Sequence, residues 1–108
     1  MPEGANMPFV VSSSQHRMLG KLLRLRLADD YVLQLTPAEA SSLSFALIAV
    51  RDGISPEREI YMSPIASDVD FVGKVHANGI SIALSKGAQE LDWDEVGMLV
   101  SALARHID

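Results

Sequence analysis

The stretch LLRLRLADDYVLQLTPAEASS, residues 22–42, carries two arginines inside a run of leucines, then an acidic turn, a second apolar run and a proline. Its reading depends on where the turn falls. With Ala28, Asp29 and Asp30 as a three-residue loop, Asp30 taking the left-handed conformation, Leu27 faces Tyr31, Leu25 faces Leu33 and Leu23 faces Leu35. One face of the hairpin is then wholly apolar, and Arg24, Arg26, Val32 and Gln34 share the other. A two-residue loop would mix polar and apolar groups on both faces. The arginines are therefore expected to point away from the core.

The second strand runs directly into TPAE. Thr36 can cap a helix, Pro37 has the φ that a first helical residue needs, and Glu39 can reach back to complete a capping box. Ala40, Leu43, Leu47 and Val50 follow at helical spacing, and Gly53 stands where a helix end wants positive φ. A helix is expected over about 37–51.

Downstream, DGISPERE (52–59) reads as a loop, IYMS as a short extended piece ended by Pro64, and SPIASDVD (63–70) as a further connection. FVGKVHANGISIALS (71–85) is a hairpin, with Asn78-Gly79 as its two-residue turn. That register puts Ala77 opposite Ile80, Val75 opposite Ile82 and Gly73 opposite Leu84 on one face. Lys74 and His76 lie on the other, with Ser81. After an SKGAQE turn, Asp92 caps a second helix with Glu95 at the capping-box position, and Val96, Leu99, Val100, Leu103 and Ile107 form its apolar stripe.

The halves align at a constant offset of 56 residues: Leu35 with Leu91, Thr36 with Asp92, Glu39 with Glu95, Leu43 with Leu99, Leu47 with Leu103. An internal β-β-α duplication is one reading, and two unrelated capped amphipathic helices are the plainer one. Either way the fold class is α+β, an antiparallel sheet of about five strands with two helices on one face. Residues 1–16 are expected to be a flexible N-terminal segment, and 17–108 a single α+β domain.

A chain of 108 residues with 48% hydrophobic and 21% charged residues is globular in composition. It can bury roughly 60 to 70% of the surface its unfolded form exposes. There is no cysteine, which removes disulfides, thiolate metal sites and a cysteine nucleophile. The apolar run Phe9 to Val11 is far shorter than a signal-peptide core or a membrane span, so a cytoplasmic location is the expectation. The net charge of -5 opposes bulk attraction to nucleic acid or an anionic membrane.

No motif in the chain specifies catalysis. His16, His76 and His106 are dispersed, without a second ligand at metal-like spacing. SDVD (67–70) lacks the oxygen count and glycine bend of a calcium loop, and DWDE (92–95) is accounted for by capping and the helix dipole. The serines of VSSSQ and ASSLS sit in no nucleophile elbow, and no glycine-rich phosphate loop is present. No catalytic residue, metal or cofactor is therefore assigned.

Two surfaces carry the functional expectations. Helix residues Phe45 to Val50 are apolar around the whole circumference, whereas a helix lying on a sheet needs only a stripe. Phe45, Leu47, Ile48 and Val50 are therefore nominated for a homodimer interface, with the N-terminal segment around Phe9 to Val11 folding back over the helix as the plain alternative. Were both hairpins in one sheet, Arg24, Arg26, Lys74 and His76 would share its outer face and meet an anionic partner, with pairing to Glu59 or Glu90 as the plain alternative. The reading is a small non-enzymatic interaction or regulatory protein acting as a homodimer on a macromolecular partner. A nucleic-acid-binding regulator using the basic sheet face is the first alternative, and a small acidic chaperone the second.

Overall fold

The computed structural model describes residues 8–107, so residues 1–7 of the segment expected to be loose lie outside the described part. Seven strands and two helices follow in the order β1 (Val10–His16), β2 (Gly20–Ala28), β3 (Tyr31–Leu35), α1 (Pro37–Arg51), β4 (Glu59–Met62), β5 (Phe71–His76), β6 (Gly79–Ala83), β7 (Ala88–Asp92) and α2 (Trp93–Ile107). The strands form two antiparallel sheets, β1-β2-β3 and β4-β5-β6-β7, in place of the single five-stranded sheet expected. Helix α1 packs on β2, β3 and β4, and α2 on β1, β2, β6 and β7. One core takes side chains from both sheets, among them Leu23, Leu25, Leu33 and Leu35 from the first and Phe71, Ile80, Ile82 and Leu91 from the second.

Two strands were not expected. Strand β1 falls within residues 1–16, where its serines disguise it. It is held by full pairing with β2 from Val10↔Arg26 to His16↔Gly20 and by Phe9, which is buried in the core. Strand β7 occupies the SKGAQE turn and the residues after it. Its alternation is weak, and β6 fixes it by pairing Ile80 with Leu91.

The first hairpin keeps the expected pairs Leu23↔Leu35 and Leu25↔Leu33 but closes differently, with Ala28 opposite Tyr31 and a bulge at Leu27. The turn is thus Asp29-Asp30, and no described non-glycine residue has positive φ, Asp30 included. The bulge absorbs the extra residue, so Leu27 and Tyr31 both stay buried without a left-handed aspartate. The second hairpin turns one residue earlier than expected. His76 pairs with Gly79, Val75 with Ile80 and Gly73 with Ile82, so Ala77-Asn78 is the turn. The pairing shifts by two positions, which preserves every side chain's face. Gly79 forces this register, because its φ is 156° and a Cβ there would stand 1.9 Å from the Leu91 carbonyl oxygen.

Helix α1 has the expected bounds, both hydrogen bonds of its capping box, and Ala40, Leu43, Leu47 and Val50 as its buried face. In α2 the Asp92 carboxylate accepts the Glu95 amide at 2.8 Å and Glu95 accepts the Asp92 amide at 2.9 Å. The first half therefore runs three strands and a capped helix and the second four strands and a capped helix, and β1-β2-β3-α1 corresponds to β5-β6-β7-α2 in detail. The β1-β2 and β5-β6 hairpins each end in a His-Gly pair, His16↔Gly20 and His76↔Gly79. In both, histidine Nδ1 accepts turn amides: those of Met18 and Leu19 in one, that of Asn78 in the other.

Candidate functional site

Arg24 and Arg26 stand where the hairpin register puts them, on the exposed outer face of the first sheet. Pairing sets Ser12 and Gln34 on either side of Arg24, and Val10 and Val32 on either side of Arg26. Val10, Ser12, Arg24, Arg26 and Val32 line a shallow depression of about 240 Å³. Among the described residues neither guanidinium has an ion-pair or hydrogen-bond partner. The suggested partners are elsewhere: Glu59 and Glu90 both belong to the second sheet.

Lys74 and His76 also belong to the second sheet, so the four basic residues do not form one face. A common face would need a single sheet, and the strands form two. His76 is held on both sides. Its Nδ1 accepts the Asn78 amide, which leaves Nε2 to donate to Glu90 at 3.0 Å. The Ser81 hydroxyl donates to the other Glu90 oxygen. These two hydrogen bonds, that from Ser81 first, hold the Glu90 carboxyl below its ordinary pKa. Here the acid lies between serine and histidine, whereas nucleophile activation needs histidine in the middle. The three side chains tie β5, β6 and β7 together at the surface.

The acidic stretch Ser67 to Asp70 is likewise structural. Ser67 Oγ accepts the Gln34 amide at 3.2 Å, and the Asp70 carboxylate accepts the Tyr61 hydroxyl at 3.0 Å. Among the described residues no three histidine or acidic side chains converge as a metal site would require. Trp93 is partly buried against the core, its indole N–H donating to the Ala77 carbonyl.

The four helix residues nominated for self-association divide in two. Leu47 and Val50 are consumed by the chain's own core, facing the sheets. Phe45, 76% exposed, and Ile48 line an apolar groove between α1 and α2 with Ser41, Ser44, Val100, Ala104 and Ile107. The groove encloses about 290 Å³. The Ser44 hydroxyl at its wall is buried without a hydrogen-bond partner. Between Glu39 and Arg51 helix α1 carries no charged side chain. Sequence reading identified the excess of apolar residues but not the groove, which exists only because α2 lies alongside.

No protein-family profile matches the chain, and neither curated proteins nor solved structures contain a significant match to it. Among the described residues no helix is long and apolar enough to cross a membrane.

Proposed function

We propose that the protein is a small, non-enzymatic interaction module that works as a homodimer joined through the outer faces of α1 and α2. The observation that carries this reading is the position of Phe45, an exposed aromatic side chain on the wall of an apolar groove. An exposed apolar patch can meet its own copy under twofold symmetry, where residue i meets j and j meets i. Interface centres are poor in charge and rich in aromatic anchors, as this helix face is. Light scattering coupled to gel filtration tests the reading: the expected mass is twice that of the chain for the native protein and that of one chain for a folded Phe45→Glu variant. A native protein that stays monomeric at micromolar concentration overturns it.

The regulator reading, with nucleic acid on the sheet, draws on the unpaired Arg24 and Arg26. Its support is narrower than the sequence implied, because Lys74 and His76 lie on the other sheet and His76 is engaged by Glu90.

A further inference from the structure

The two halves can be aligned strand by strand through their shared pairings. Leu23 and Leu25 pair with Leu35 and Leu33 as Ile80 and Ile82 pair with Leu91 and Gln89. Carrying this outward sets Val11 against Gly73 and Ser13 against Val75. Two residues earlier, Phe9 corresponds to Phe71, both buried in the core. Strand β1 is thus the counterpart of β5. In the second sheet the outer edge of β5 is covered by β4, with Glu59 opposite Lys74. In the first sheet no described strand stands on the corresponding edge of β1.

The other edges are guarded. Strand β3 is covered where Gln34 donates its amide to Ser67 and its side chain to the Ala66 carbonyl. Strand β4 has only four residues and carries Glu59, and β7 carries Glu90 and Asp92. Short length, charge and cover are the usual protections against pairing with another chain. Among the described residues strand β1 has none of them: its seven residues, VVSSSQH, include no proline, lysine or acid, and most of its side chains are exposed.

We propose that the outer edge of β1 takes an extended acidic segment of a partner protein as the fourth strand of the first sheet, antiparallel to β1 as β4 is to β5. Main-chain hydrogen bonds supply the affinity in such strand addition, and alternate side chains supply the specificity. The added backbone lies two strand spacings from β2, roughly 10 Å. An extended arginine and a glutamate side chain close that gap between them. Ser12, opposite Arg24, is small enough to let the guanidinium reach over β1. Arg24 and Arg26 project from alternate positions, so the matching segment has acids at alternate positions. A nucleic-acid backbone fits less well. Among the described residues the face carries no phenylalanine, tyrosine or tryptophan side chain for base stacking.

The site is independent of the helix face that would join two chains. Its test is fluorescence anisotropy on the full chain with a short labelled peptide of alternating glutamate and threonine. Saturable binding is expected, weakened about tenfold in Arg24→Ala/Arg26→Ala. Binding is expected to vanish when the peptide is N-methylated along one edge or when lysine replaces glutamate. Circular dichroism confirms that the double variant is folded. Binding that survives N-methylation overturns strand addition, and equal binding of the lysine peptide overturns the role of the arginines. If the glutamate peptide does not bind, the proposal fails. Hydrogen exchange then shows whether the β1 amides are protected by a second copy, and a single-stranded oligonucleotide shows whether the face is a phosphate site instead.

Discussion

The Tyr31 hydroxyl donates to the main-chain carbonyl of Asp70 at 2.7 Å, joining the first hairpin to the residue before β5. Two residues distant in the chain thereby link the two sheets beside the shared core. Burial, and secondarily the charge of Asp70, push the phenol from 10.0 up to about 12. The folded chain therefore keeps its proton where the unfolded chain loses it. Stability from this group is complete below pH 10 and is lost as pH rises toward 12, by about 2 kcal/mol. Urea titrations across that window should show the loss in the native chain and a shallower one in Tyr31→Phe. At neutral pH that variant should be less stable by about 1 kcal/mol.

Gly79 and Gly20 both have positive φ but differ in their surroundings. A Cβ on Gly79 meets Leu91 backbone, whereas one on Gly20 meets nothing within 4 Å. Gly20→Ala should cost about 1 kcal/mol from backbone strain alone. Gly79→Ala should cost about 3 kcal/mol or more, because β7 must move away from β6. Thermal unfolding of the two variants compares them directly.

Glu39 does more than its counterpart Glu95. One oxygen of Glu39 accepts the Thr36 amide at 2.9 Å, and the other accepts the Ile65 amide at 3.0 Å. It both caps α1 and pins the β4-β5 connection. Glu39→Ala should destabilise by about 1 kcal/mol more than Glu95→Ala, the difference being one charge-assisted hydrogen bond. Proteolysis near Ile65 should rise only in the former.

Phe45 and Leu47 are two residues apart on α1 and face opposite ways. Leu47→Ala should lower folding stability by about 2 to 4 kcal/mol, since its side chain is fully buried. Phe45→Ala should change the stability of the isolated chain by less than about 0.5 kcal/mol. Under the dimer reading it should instead lower the association constant at least tenfold, measured by analytical ultracentrifugation.

Much of the local structure was legible from residues 22–42 and their counterparts 56 positions later. Thr36 with Glu39, and Asp92 with Glu95, specify helix starts because a capping box is completed within four residues. The alternation of Leu23, Leu25 and Leu27 with Arg24 and Arg26 specifies which face is buried, and it survives register changes of two because the strand period is two. Tertiary structure decided the rest. The division into two sheets, the strands at Val10–His16 and Ala88–Asp92, and the early turn at Ala77-Asn78 all depend on partners far away in the chain. Serines pair as well as valines once β2 is beside them, and Gly79 takes its place only because the Leu91 carbonyl leaves room for nothing larger. Two arginines are written in the sequence, but the edge beside them is visible only in the fold, where among the described residues β1 has no counterpart of β4.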